Sequence, residues 1–302
     1  MTHQQPKEKS GFDSPFNEAG RIKIVECPRD AMQGWKTFIP TEQKIKYLNA
    51  LLQVGFDTID FGSFVSPKAI PQMQDTKEVL QGLNLSNTKS KLLAIVANVR
   101  GAEEAAAFDE ITYLGFPLSV SQTFQQRNTN ASIQDALLRI DEIQAICKRQ
   151  GKHLVVYLSM GFGNPYGDAY SEEIVFQYAH ELVQKEIKTI SVADTVGVAT
   201  PEQVQKITAH LIHSLPGTEV GVHLHATAQG WRQKVEAAYN GGCRRFDGAL
   251  KGIGGCPMAK DELVGNMNTE WLLQFFSEKR EAVHINQTAL QNSLQLADSI
   301  FV

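Results

Sequence analysis

The chain has 302 residues, 42% hydrophobic and 21% charged, with a net charge of −4, a balance ordinary for a globular enzyme. No basic block accompanies that charge, which argues against nucleic acid as the main partner. No apolar run approaches the ~20 residues needed to span a bilayer, so no membrane partner is expected.

The first twenty residues are polar and carry Glu8, Asp13 and Glu18. They lack the apolar core of a secretory signal and differ from an Arg-rich transit peptide; residues 1–20 read as an N-terminal arm. Cys27, Cys147, Cys243 and Cys256 are widely spaced, with no Cys-x-x-Cys pair. That is the pattern of free thiols in a reducing compartment, and the expected location is cytoplasmic.

Short β-branched runs then alternate with amphipathic stretches, eight of each. The expected strands are 22–27, 58–62, 91–97, 111–116, 153–159, 189–193, 219–225 and 245–250. Their near-continuous apolar character suits a parallel sheet covered on both faces. Thr41 is expected to cap a helix with Ile45, Leu48, Leu51 and Leu52 on its inner face. Ser132, Ser171 and the pair Thr200-Pro201 open three more, with a hydroxyl cap or a proline at the first helical position. A helix over 269–276 and a helical tail from Asn286 follow. No Gly-x-Gly-x-x-Gly follows the first strand, and polar residues gather at many strand ends. Both features favour a (β/α)8 TIM barrel with additional C-terminal helices, in one domain over 21–302, rather than an open doubly wound sheet.

The candidate chemistry lies at those strand ends. The first strand runs into Arg29, Asp30 and Gln33; Asp30 offers an oxygen ligand for a metal, and the fixed donors of Arg29 suit an enolate or carboxylate. The second carries Asp60, whose charge near a strand end needs a partner, then Ser63 and Ser66. The fourth leads to Ser119, Ser121, Gln122, Asn128 and Asn130, and the sixth ends in Asp194 and Thr195. The seventh carries His223 and His225. Residues two apart on a strand share a face, so the pair projects two imidazoles together, an arrangement suited to a divalent cation. Chance yields a His-x-His roughly 0.2 times in such a chain, too often for the pair to decide alone. After the last strand, Cys256 sits in a glycine-rich loop, where a thiol of pKa ~8.5 can donate a proton. Asn266 follows with an amide oxygen for the same cation.

Taken together, three segments resemble the 3-hydroxy-3-methylglutaryl-CoA lyases of the pyruvate-carboxyltransferase-like, metal-dependent barrel family. They are Val25-Glu-Cys-Pro-Arg-Asp-Ala-Met-Gln33, Ser63-Phe-Val-Ser-Pro-Lys68 with Pro71-Gln-Met73, and Gly252-Ile-Gly-Gly-Cys-Pro257. The second is the most specific to the lyases. The likeness runs from about Ile22 to about Glu270.

The resemblance implies that Asp30, His223, His225 and Asn266 hold a divalent cation, Mg²⁺ or Mn²⁺, since imidazole and oxygen donors fit an octahedral site. It implies catalytic roles for Arg29, Asp30, Asp60, His223 and Cys256, and substrate contacts by Gln33, Ser63, Asp194 and Thr195. The implied substrate is an acyl-CoA, cleaved to acetoacetate and acetyl-CoA as in leucine catabolism, and the implied assembly a homodimer. Four departures from the family pattern stand out. Ala226 replaces an Asp after the second histidine, and Asp60 replaces a Glu. Asn164 precedes Pro165 where cysteine is usual. The 256–266 interval is one residue longer, with Lys260-Asp261-Glu262-Leu263 in place of small residues. A related lyase or aldolase acting on another 3-hydroxyacyl-CoA or hydroxy-oxo-acid is the second reading. A barrel that binds a metabolite without turnover is the third.

Overall fold

The computed structural model describes residues 20–255 and 264–302. The expected arm before Gly20, Cys256 and the 260–263 segment lie outside the described residues.

Eight parallel strands close into a ring in sequence order: β1 (Lys23–Glu26), β2 (Thr58–Ser63), β3 (Lys91–Ile95), β4 (Ile111–Ser119), β5 (His153–Ser159), β6 (Thr189–Ala193), β7 (Glu219–His223) and β8 (Arg245–Gly248). The ring shuts where β8 lies beside β1, from Lys23 opposite Arg245 to Glu26 opposite Gly248. That pairing excludes the open sheet. The barrel is the fold the alternating runs predict.

Helices cover the outside, and several begin where a cap was legible. Ser132 and Asp135 form a reciprocal capping box, as do Thr200 and Gln203, and the Ser171 hydroxyl accepts from the Ile174 amide. Each satisfies backbone donors that would otherwise be orphaned at a helix start. Thr41 is the exception. The helix Thr41–Leu51 is capped at Pro40 without a side-chain bond, because the Thr41 hydroxyl donates 2.8 Å to Asp75 instead. The C-terminal helix Gln287–Ile300 is capped by Asn286, and Phe301 beyond it packs edge-on against Trp35 and Tyr47. No helix among the described residues is long and apolar enough to cross a membrane. Cys27, Cys147 and Cys243 are free and buried.

Strand alternation divides the interior in two. Residues such as Ile190, Val222 and Phe246 face the helices; Phe246 meets Phe276 with ring centroids 4.9 Å apart. Their neighbours face the lumen. On the β3–β5 side the lumen is filled by Leu93, Tyr113, Val155 and Tyr157. On the β6–β8 side it is polar: Ser191 and Arg245 are both in register with Gly221, and Glu219 lies two residues before Gly221 on β7. The layer above, at the carboxyl ends of the strands, carries Asp60, His223 and Asp247. In barrels of this type that end is where active sites form.

Candidate metal centre and active site

β1 passes directly into a helix, Pro28–Gln33, with Pro28 at its first position, where a missing N–H costs nothing. This tight turn tips Arg29 and Asp30 inward over the barrel mouth, 9% and 6% exposed. Asp60, within β2, accepts from Arg29 Nε at 3.0 and 3.2 Å and from Nη2 at 2.5 Å. Arg29 Nη1 reaches Asp30 Oδ1 at 3.1 Å, and Gln33 Nε2 donates to the same oxygen. A guanidinium gripped by two carboxylates is fixed in both position and charge.

Opposite stand the histidines. β7 stops at His223, and His225 lies past its end, in an antiparallel bridge with Asn266. The two rings are therefore not simply successive residues of one strand, as the sequence spacing suggested. Their Nε2 atoms nevertheless face each other at 3.3 Å, and His223 Nε2 is 4.0 Å from Asp30 Oδ2. Asp30, His223 and His225 each offer a ligand atom within 4.8 Å of the others.

The surroundings prepare these groups. Burial pushes His225 down to about 3, with the neighbouring His223 adding to the effect, which leaves a neutral imidazole. For His223 burial acts downward, but the hydrogen bond and charge of Asp247 outweigh it and raise the ring. For Asp30 burial acts upward and is outweighed by Arg29 and both histidines, so the carboxylate stays ionised below its ordinary range. Burial raises Asp60 to about 6 despite Arg29.

Asn266 completes the cluster. Its amide nitrogen donates to Asp30 Oδ2 at 2.8 Å and to the Ile253 carbonyl at 2.9 Å. Its buried Oδ1 is left without a hydrogen-bond partner. A buried acceptor of this kind calls for a counterpart. Two converging ring nitrogens, an ionised carboxylate and an orphaned amide oxygen fit a divalent cation. Cys27, His223 and Asp247 form a second close group, but Cys27 and Asp247 lie outside the cavity lining. Burial holds the Cys27 thiol well above its usual range, so it stays protonated, unlike a metal-binding thiolate.

Arg29, Asp30, Asp60, His223 and His225 form one wall of a cavity of about 620 Å³, with Asn266 outside its lining. Gln33, Ser66, Asn128, Asn130, Ser159 and Thr195 line it, and so do Asn98 and Arg127, which the sequence did not single out. Two expected contacts are elsewhere. Ser63 is 2% exposed and outside the lining, its amide bonded to Thr76. Asp194 is turned away, its carboxylate held by Lys234 Nζ at 2.7 Å and by the Ala199 amide. Ser119, Ser121 and Gln122 serve local structure: the Ser119 amide donates to Gln125, the Ser121 hydroxyl to Asp168, and Gln122 accepts from the Ile133 amide. Thr195 lines the cavity while its hydroxyl accepts from the Met160 amide.

A family model described as HMGL-like matches residues 21–298. The mitochondrial hydroxymethylglutaryl-CoA lyase of Rattus norvegicus is 32% identical over 93% of this chain and 85% of its own. The cytoplasmic 3-hydroxy-3-methylglutaryl-CoA lyase of Danio rerio is 33% identical, over 83% and 75%. The chain belongs to the HMGL-like family. Among solved structures, an HMG-CoA lyase from Acinetobacter baumannii in complex with coenzyme A and 3-methylmalate superposes with a TM-score of 0.87. It is 32% identical, over 94% of this chain and 92% of that one.

HMGL-like barrels are metal-dependent, and this member shows how its departures are absorbed. Ala226 supplies no carboxylate beside His225. Lys234 instead donates 3.0 Å to the His225 carbonyl, 3.0 Å to that of Gly197 and 2.7 Å to Asp194, tying the β6 and β7 ends together. Asp60, shorter than the family's Glu, still reaches Arg29 on both oxygens' side of the fork. Asn164 supplies a loop brace, accepting from the Tyr166 and Asp168 amides. The residue that sequence reading missed is Asp247. It lies at His223 Nδ1, 3.2 Å away, and the only sign of it was a carboxylate on a buried strand, two residues after Arg245.

Proposed function

We propose that this protein is a metal-dependent carbon–carbon lyase that cleaves 3-hydroxy-3-methylglutaryl-CoA to acetoacetate and acetyl-CoA. The observation that carries this reading is the convergence of Asp30, His223 and His225 beside the pinned guanidinium of Arg29, on one wall of the cavity. The lyase relatives, and the coenzyme A held by the Acinetobacter enzyme, support an acyl-CoA substrate.

Asp30, His223, His225 and Asn266 would hold the cation, Mg²⁺ or Mn²⁺. Bound there, it would supply Lewis-acid chemistry, lowering the pKa of the substrate's C3 hydroxyl. Asp30 and His223 are the two candidates to take that hydroxyl proton, both at the cavity wall. The C2–C3 bond then breaks, and its electrons pass to the thioester as an enolate. Arg29 commits one N–H from each of its three nitrogens to Asp60 and Asp30; a guanidinium has five, so two remain for the enolate oxygen. Asp60 keeps that fork aimed. Cys256 supplies the proton that turns the enolate carbon into the methyl group of acetyl-CoA. Gln33 and Thr195 contact the substrate from the cavity lining. Ser63 and Asp194 support it from behind.

Residues 21–302 act as one catalytic domain in this reading. The free, buried cysteines support a reducing, cytoplasmic setting, and the resemblance implies a homodimer. The deciding experiment is a coupled assay for acetoacetate release by metal-stripped protein with and without Mn²⁺. Turnover that appears only with metal is expected. Release of a different oxo-acid from another 3-hydroxyacyl-CoA would move the assignment to a related lyase. A protein that takes up no Mn²⁺ and turns nothing over would be a binding barrel.

A further inference from the structure

The lumen below the histidines contains a charged group that the chemistry above does not use. Arg245 on β8 is 1% exposed, and none of its three side-chain nitrogens has a hydrogen-bond partner. Its nearest countercharge is Glu219 Oε2, 3.6 Å from Nη1. A buried guanidinium left this way is costly unless something completes its fork.

The path of the side chain is fixed by a glycine. Gly221 is the β7 residue opposite Arg245, and a Cβ added there would come within 3.0 Å of both Arg245 Cγ and Cδ. The stem therefore lies across the backbone of β7. Its guanidinium carbon stands 5.8 Å from the centre of the Tyr113 ring across the lumen, and Ser191 and Tyr157 follow Gly221 in the same register row. Ser191 Oγ and Tyr157 Oη are also buried without hydrogen-bond partners.

One more orphan shares this space. Asp247 is two residues from Arg245 on β8, on the same inward face and 2% exposed. Its Oδ2 bonds His223, whereas its Oδ1 has no partner. The two Cα atoms are about 7 Å apart on such a strand, and no hydrogen bond joins the two side chains. One water can bridge the guanidinium and the free carboxylate oxygen, since buried waters commonly make about three hydrogen bonds to groups otherwise unsatisfied.

We propose that Arg245 is a positioning residue: through a lumen water it holds the second oxygen of Asp247 and thereby fixes the ring of His223. The charge on Arg245 supports this, since burial would lower its affinity for a proton and Glu219 and Asp247 more than compensate. The inference rests on the metal reading of the site above.

The test is titration calorimetry of Mn²⁺ into metal-stripped wild type, Arg245→Met, Asp247→Asn and the double variant. Loss of a group that orients a ligating histidine weakens metal binding ~10–100-fold, and Arg245→Met should fall at about the lower end. On the Asp247→Asn background the same substitution should add less than about twofold, because a residue acting through Asp247 has nothing left to act on. Unchanged affinity in a folded Arg245→Met protein overturns the proposal. So do two effects that simply multiply. Should Arg245→Met fail to fold, Arg245→Met with Glu219→Gln removes both buried charges and is read the same way. Arg245→Lys, which keeps the charge, should recover most of the affinity; loss as deep as with Met would mean that lumen volume is what matters. Wild type that binds no Mn²⁺ overturns the metal reading itself, a result distinct from either.

Discussion

Asp247 Oδ2 lies 3.2 Å from His223 Nδ1, on the side of the ring opposite the nitrogen that faces His225. A carboxylate there requires the proton on Nδ1 and leaves the Nε2 lone pair pointing at the site. Asn at 247 can present an N–H instead and favour the opposite tautomer. Asp247→Asn should therefore weaken Mn²⁺ binding by ~10–100-fold, measured by calorimetry or by the bound-ion signal in electron paramagnetic resonance. Affinity equal to wild type would mean that the contact does not set the tautomer.

The Arg29–Asp60 pair is buried on both sides. Removing Asp60 leaves the buried guanidinium with Asp30 as its one close charge partner, at a cost of up to about 3–5 kcal/mol, the figure for a fully broken buried pair. Asp60→Asn should lose stability on that scale in urea unfolding and lose turnover with it. Asp60→Glu, which restores the carboxylate on a longer stem, should keep more of both. A fully active Asp60→Asn protein would show that Arg29 does not need aiming.

Cys256→Ala should slow turnover ~10²–10⁴-fold, the range for a lost general acid, while Mn²⁺ affinity stays at the wild-type value. Steady-state kinetics and calorimetry on one preparation separate the two. Unchanged turnover would remove Cys256 from the mechanism.

Glu26 is fully buried in β1, accepting from the Leu250 amide at 2.8 Å and the Thr269 hydroxyl at 2.6 Å. Burial raises it from 4.5 to about 8. Between those values the folded state keeps a proton that the unfolded chain releases, so this group's contribution to stability falls as pH rises through the window. Glu26→Gln has no proton to lose. Melting temperatures from pH 5 to 8 should fall more steeply for wild type than for Glu26→Gln; parallel curves would sink the assignment.

Much of this barrel was legible in the sequence because its signals are local. The apolar runs that became β5 and β6 have the bounds their composition indicated, and Ser132, Ser171 and Thr200 cap the helices they were expected to cap. Thr41 misled because its hydroxyl had a better partner 34 positions away, which no local pattern reveals. The site divides similarly. Arg29, Asp30, His223, His225 and Asn266 do meet. Which way a polar side chain turns depends on partners distant in sequence: Asp194 follows Lys234 away from the cavity, and Asp247 is drawn to His223. Arg127 reaches the cavity from the helix that leads to the expected Asn128 and Asn130, and Asn98 from a helix cap; neither residue type by itself signals a ligand.

The bond between Asn266 and Asp30 joins residues 236 positions apart. A nascent chain reaches the first of these early and the second only after β8 has been made, so no fragment ending before Asn266 can offer the full set of donors. Metal uptake during synthesis or refolding would then mark ring closure, arriving late and all at once. An ion that binds only the closed ring would also draw the equilibrium toward it, acting as the clasp that keeps the first strand beside the last.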